Sequence, residues 1–279
     1  MKLRKILVPA LLLVAIISGI AIGSTRWLKI YEHVVYFDNL PEYLQGLRIL
    51  QISDLHSNHP TRINIDIWPH IAGLDFDLAV ITGDIVLDGA WGAAGPVTYL
   101  NPHKDGLSAL AARVPTFFVE GNHESRTSNL FVPIMRDLGI RFLLNEVHEF
   151  EFGGGLLTIV GTKDHSTMVR EDSFDEMLAL FDEPADFRLV LTHQPQIFDL
   201  VNHTGQMLLL AGHTHGGQIR LPFLPTLYAP GQGLMPRYGA GFYHHDDAIL
   251  YVSRGIGTTY FPIRFWSRPE VAIFELRSR

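Results

Sequence analysis

The chain of 279 residues contains no cysteine, which excludes disulfides, thiolate zinc sites and iron–sulfur clusters and leaves any metal to oxygen and nitrogen donors. That absence does not decide the redox compartment, because a chain without thiols suits either side of a membrane. Nor is there a polybasic tract: 22 Lys and Arg stand against 29 Asp and Glu, for a formal net charge of -7. Non-specific nucleic-acid binding draws on clustered cations for counterion release, so no nucleic acid is expected as partner. Internal repeats and low-complexity segments are missing. So are a Gly-x-Ser-x-Gly elbow and a P-loop, which leaves serine-hydrolase and nucleotide-switch readings without a motif. No twin-arginine pair precedes the apolar N-terminus, so that export route is unsupported.

What is present begins with that N-terminus. Ile6 to Gly23 is an uncharged, mostly apolar stretch of about 18 residues, near the minimum for a helix spanning hydrocarbon, and Lys2, Arg4 and Lys5 precede it. It reads as a transmembrane anchor; a cleavable signal peptide is the alternative, because Gly19, Ala21 and Gly23 could form a processing site. Residues 1–24 are therefore set apart as the membrane segment, 25–46 as a linker and 47–279 as one domain. With 47% hydrophobic residues the chain can bury one substantial core. The three early cations against Arg26 and Lys29 favour, by a narrow margin, a domain outside the cytoplasm.

From Leu47 onward short apolar runs alternate with helix-length segments. Leu47–Ile52 ends at Asp54, Leu78–Thr82 at Asp84, Thr116–Glu120 at Asn122, Arg188–Thr192 at His193, and Met207–Ala211 at His213. Each chemistry-bearing residue lies just past the carboxyl end of a predicted buried strand, where open α/β sheets place their sites. Segments 129–138 and 173–181 predict helices, 149–160 a hairpin around Gly153-Gly154-Gly155, and 221–241 a long loop.

The blocks at those strand ends are Asp54-Leu55-His56, Gly83-Asp84, Gly121-Asn122-His123-Glu124, His193 and Gly212-His213-Thr214-His215-Gly216-Gly217-Gln218. Two imidazoles one residue apart in a glycine-bounded turn can serve neighbouring members of a metal pair, and carboxylate, amide and imidazole donors suit Mn, Fe or Zn. Paired ions about 3.5 to 4 Å apart are a standard device for in-line attack on phosphorus.

In this order the blocks resemble the calcineurin-like metallophosphoesterases, from about Leu47 to the C-terminus. The resemblance implies an α/β four-layer sandwich of two facing mixed β-sheets flanked by helices, two divalent metal ions, and hydrolysis of a phosphoester. It places Asp54, His56, Asp84 and His215 on one ion and Asp84, Asn122, His193 and His213 on the other, with Asp84 bridging. His123 becomes the outer-sphere catalytic histidine. Glu124, taken with His123 as the catalytic pair, departs from the Asp more common at that position and bears on how His123 is oriented; Asp88 has no assigned role. The anchor and the segment Ser253–Trp266 resemble the membrane-associated bacterial branch of the family, similar to UDP-diacylglucosamine pyrophosphate hydrolases of lipid A synthesis. A phosphoester or nucleotide-lipid substrate, a bacterial inner membrane and no obligate protein partner follow from that likeness. A UDP-lipid is cytoplasmic, which opposes the charge reading. A broad phosphodiesterase or a metal-binding scaffold of weak activity are the alternatives.

Other residues read more plainly. His244-His245-Asp246-Asp247 predicts a solvated hairpin turn, His59 a surface-loop histidine. His33, His70, His103, His148, His165 and His203 show no ligand spacing. Arg126, Arg254, Arg264 and Arg268 could bind a phosphate oxygen, although a surface salt bridge is the commoner fate. Phe223, Leu224, Leu227 and Tyr228 could face acyl chains or the bilayer surface, or pack a loop.

Overall fold

Every apolar run predicted as a strand forms one. The computed structural model describes residues 2–57, 65–87, 95–259 and 262–279, so His59 and Asp88 lie outside the described residues. In chain order the elements are α1 (Lys2–Arg26), β1 (Lys29–Phe37), β2 (Arg48–Ile52), α2 (Trp68–Ile71), β3 (Leu78–Thr82), α3 (Gly95–Arg113), β4 (Thr116–Val119), α4 (Ser128–Asp137), β5 (Arg141–Phe142), β6 (Glu146–Phe152) and β7 (Gly155–Gly161). Then follow α5 (His165–Glu171), α6 (Phe174–Ala179), β8 (Phe187–Leu191), β9 (Gln206–Ala211), β10 (Tyr228–Ala229), β11 (Gly233–Leu234), β12 (Gly241–His245), β13 (Ala248–Val252) and β14 (Glu270–Ser278).

Two six-stranded sheets form, in the orders β1-β14-β2-β3-β4-β5 and β12-β13-β9-β8-β7-β6. Both are mixed: β14 pairs antiparallel with β2, and β6–β7 and β12–β13 are antiparallel hairpins, while β2–β3–β4 and β7–β8–β9–β13 run parallel. Alternation along the strands divides the apolar residues between three cores. Ile49, Val80 and Val119 point into a layer shared with Ile159, Leu189 and Leu208 of the second sheet. Leu50, Ala79 and Ile81 face the other way, onto Leu107, Phe131 and Met135 of α3 and α4. Val190, Leu209 and Leu250 pack outward on Met168 and Met177 of α5 and α6. The layers are helix, sheet, sheet, helix, and because both faces of each central strand are covered, those strands read as unbroken apolar runs. Each fully buried Leu or Ile contributes roughly 1.5–3 kcal/mol.

The stretch expected as a linker is a correction. It contains β1, which pairs in parallel with β14 from Lys29↔Glu270 to Phe37↔Ser278 and so closes the edge of the first sheet. As an edge strand it buries only alternate residues, Val35 and Phe37 inside with Val34 and Tyr36 exposed, and its apolar signal is diluted accordingly. The predicted hairpin turn at Asp246-Asp247 joins β12 to β13. The expected 221–241 loop is irregular apart from the short β10–β11 pair.

Candidate metal centre

The loops that leave β2, β3, β4, β8 and β9 meet at one end of the paired sheets. They are tied to each other through backbone bonds, Asp54 N–H to Gly83 O and His56 N–H to Asp84 O, each 3.0 Å. Asp54, His56, Asp84, His213 and His215 all adopt positive φ, between 46° and 71°. For non-glycine residues such backbone costs about 1–3 kcal/mol each and persists only where the surroundings impose it. One close approach explains a glycine: a Cβ on Gly121 would run into the Asp84 carboxylate.

The loops bring all seven predicted ligands together. His56 Nε2 and His215 Nε2 are 3.0 Å apart, and Asp54 Oδ1 stands 3.9 and 3.4 Å from them. Beside this group, His193 Nε2 lies 3.2 Å from His213 Nδ1 and 3.3 Å from Asn122 Oδ1. Asp84 Oδ2 joins the two sets, 3.1 Å from His193 Nε2 and 3.8 Å from both His56 Nε2 and His123 Nε2. Asp54–His56–His215 and Asp84–His193–His213 are each compact enough to hold an ion. Ring nitrogens facing one another across about 3 Å, with carboxylate oxygens alongside, place several lone pairs on a common point. A cation resolves that crowding, and the donor set fits divalent ions of intermediate hardness. His123 stands at the rim with its side chain 12% exposed, while its backbone N–H donates to Asp84 Oδ1 at 3.0 Å.

Burial dominates the electrostatics. It raises Asp54 to about 6, with Asp84 adding to the shift and His193 opposing it. Burial also works against the Asp84 charge, but His193, His123 and His56 outweigh it and hold that carboxyl well below the usual range. His213 falls to about 3 through burial and then the neighbouring His193. His215 is likewise held low by burial, His56 and Arg264, so these rings keep neutral nitrogens for coordination.

Supporting contacts orient the rings. The Thr82 carbonyl is 2.8 Å from His193 Nδ1 and fixes that nitrogen as the N–H, which leaves Nε2 to the cluster. Gln51 in turn donates to the Thr82 hydroxyl, and Ser53 Oγ donates to Asp54 Oδ2 at 2.6 Å. These braces carry no motif in the sequence.

The arginines expected at the surface or on phosphate are mostly structural. Arg264 is completely buried; its guanidinium donates to His215 Nδ1 at 3.1 Å and to the carbonyls of Arg254, Ser267 and Gly257. Arg254 is ion-paired with the buried Glu270, and Arg268 donates to the Trp27 and Leu28 carbonyls. Arg126 is exposed. Glu124, expected beside His123 as part of the catalytic pair, gives its carboxylate to three backbone amides instead: Asp84 at 2.8, Gly121 at 2.9 and Val86 at 3.1 Å. Those three bonds tie the loops after β3 and β4 together. His33 sits among Phe242, Tyr251 and Phe274, in agreement with its lack of ligand spacing.

Residues 47–217 match the family model described as calcineurin-like phosphoesterase. Among curated proteins the chain is similar to the uncharacterized metallophosphoesterase YkuE of Bacillus subtilis strain 168, at 28% identity over 95% of this chain and 92% of that protein. It is 29% identical to the phosphodiesterase YaeI of Escherichia coli strain K12, covering 90% of this chain and 88% of the relative. Similarity at 27% identity, over 83% of this chain and 84% of the relative, extends to the UDP-2,3-diacylglucosamine pyrophosphatase LpxG of Chlamydia muridarum.

Proposed function

The chain belongs to the calcineurin-like phosphoesterase family and is a metal-dependent phosphoester hydrolase, and from that premise we propose that two divalent cations serve hydrolysis of a phosphodiester or pyrophosphate bond in an amphiphilic substrate. The observation that carries the reading is Asp84 Oδ2, shared between two His-and-carboxylate groups. Asp54, His56 and His215 would hold one ion, Asn122, His193 and His213 the other, and Asp84 both. When bound, such a pair supplies Lewis acidity toward phosphoryl oxygens and lowers the pKa of water toward neutrality.

The chain's own residues account for the rest. Two carboxylates against two dications leave a positive site that draws in an anionic phosphoester. His123, at the rim, is placed to donate a hydrogen bond to a phosphoryl oxygen or a proton to the leaving oxygen. Glu124 and Gly121 hold the loop on which that ring stands.

We read α1 as a membrane anchor, and two observations support this. Leu7–Arg26 is long and apolar enough to cross a bilayer and is almost wholly exposed. Its last turn is also built into the domain, where Ser24 and Thr25 are buried and Thr25 Oγ1 accepts the Arg264 N–H at 2.8 Å. An anchored domain meets amphiphiles at the bilayer surface, and the LpxG relative points to UDP-2,3-diacylglucosamine as the substrate to try first. The test is a hydrolysis panel under Mn, Fe or Zn that sets that nucleotide-lipid beside soluble aryl phosphodiesters. Preference for the lipid supports a dedicated enzyme, equal rates a broad phosphodiesterase, and metal loading without turnover a scaffold. C-terminal reporter fusions add the topology, since a UDP-lipid enzyme needs its domain in the cytoplasm.

A further inference from the structure

A cleft of about 820 Å³ lies between α1 and the domain, and none of the metal-centre residues lines it. One wall is a single face of the helix, Ile16, Gly19, Ile20 and Gly23 at helical spacing, continued just past its end by Trp27, about 16 Å in all along the axis. Around Gly19 this wall is open, with nothing within 4 Å of the position a Cβ would take. The opposite wall ends in Leu221, Phe223 and Leu224, of which Phe223 is fully exposed.

Charge gathers where the cleft reaches the foot of the helix. Arg220, Arg254 and Arg268 all line it. Glu270 neutralises Arg254, and among the described residues Arg268 donates only to backbone carbonyls. The half-buried Arg220 guanidinium has no hydrogen-bond acceptor or ion-pair partner among the described residues, and burial together with Arg254 lowers its pKa. A groove that is apolar along a membrane helix and cationic at the helix end matches one kind of molecule in shape and sign: an acyl chain carrying an anionic phosphate.

We propose that this cleft binds an anionic glycerophospholipid of the surrounding bilayer, its phosphate against Arg220 and an acyl chain along the Gly19 face of α1. The proposal rests on reading α1 as a membrane anchor and is independent of the reaction. A resident lipid would brace the anchor against the 220–224 segment and set how the domain sits on the membrane.

Trp27 and Trp266 line the cleft, which makes occupancy readable by fluorescence. The full-length protein is reconstituted in phosphatidylcholine vesicles containing a minor fraction of phosphatidylglycerol, with bromine on the acyl chains of one lipid at a time. Brominated phosphatidylglycerol should quench more strongly, mole for mole, than brominated phosphatidylcholine. Arg220→Glu should reduce that preference by at least about fivefold, the worth of one arginine at an anionic surface. Unchanged hydrolysis of a soluble phosphodiester by Arg220→Glu reports that the variant is folded. Equal quenching by the two lipids, or a preference that survives Arg220→Glu, overturns the lipid site while leaving the anchor standing. Quenching by neither lipid overturns both. Displacement by an unbrominated nucleotide-diacyl lipid but not by unbrominated phosphatidylglycerol would give the cleft to substrate and overturn the proposal as well.

Discussion

The carboxylate of Glu124 accepts the backbone N–H of Asp84 at 2.8 Å, and the same oxygen accepts that of Gly121 at 2.9 Å, so one buried side chain ties the β3 loop to the β4 loop. Burial and then Asp84 raise its pKa to about 7. Glu124→Gln keeps the volume but sets an NH₂ against amide donors. It should destabilise the metal-loaded protein by about 1–3 kcal/mol, the cost of a buried group left unmatched. Urea unfolding measures this, and an unchanged midpoint would remove Glu124 from its bracing role.

His123→Ala should lower kcat at least about tenfold while metal content stays near two per chain. Turnover and elemental analysis of one preparation give both quantities. Loss of metal alongside activity would instead make His123 a ligand.

Five positive-φ residues in the cluster represent strain, and the expectation is that bound ions would offset it. Chelation should abolish activity and lower Tm by about 5–10 °C, the shift expected when a ligand at 100 times its Kd is withdrawn from a domain this size. Calorimetry with and without metal decides it; an identical Tm would mean that the centre folds without help from its ions.

Arg264→Lys retains a cation but loses the planar fork that reaches His215 and three carbonyls together. Metal affinity should fall about 10- to 100-fold, as for other residues that orient a ligand. Metal titration followed by activity reads the loss, and native-like affinity would leave Arg264 with packing alone.

Trp68 Nε1 donates to His103 Nδ1 at 3.1 Å, a contact that requires a neutral ring. Burial lowers the His103 pKa below its ordinary 6.5, Asp66 opposing. The unfolded chain therefore binds the proton first: stability is complete above pH 6.5 and falls as acid carries the solution toward the folded-state value. His103→Gln should reduce that loss by at most about 1.4 kcal/mol per pH unit. Parallel denaturation curves of the two proteins from neutral pH downward test it, and equal slopes would refute it.

The sheet interiors and the residues that cluster at their ends were legible because central strands covered on both faces are continuous apolar runs, and each ends in a residue whose chemistry is conspicuous. β1 was not, since an edge strand needs only Val35 and Phe37 inward and otherwise looks like any polar connector. Arg264 was hidden for a different reason. Its role depends on a contact with His215 from far along the chain, and nothing local separates a buried arginine from a surface one. The carboxylate of Glu124 likewise finds its partners in backbone amides, which have no letter in a sequence.

Only Trp27 and Leu28 separate the end of α1 from the start of β1, and Arg268 grips both of their carbonyls. Were α1 to lie in a bilayer, as proposed, there would be no slack for the domain to roam into solution: its height and tilt would be those of the helix itself. Its reaction rate on an embedded substrate would then follow crowding within the plane of the membrane, the mole fraction of substrate among the lipids, and would be insensitive to how dilute the vesicles are in the tube.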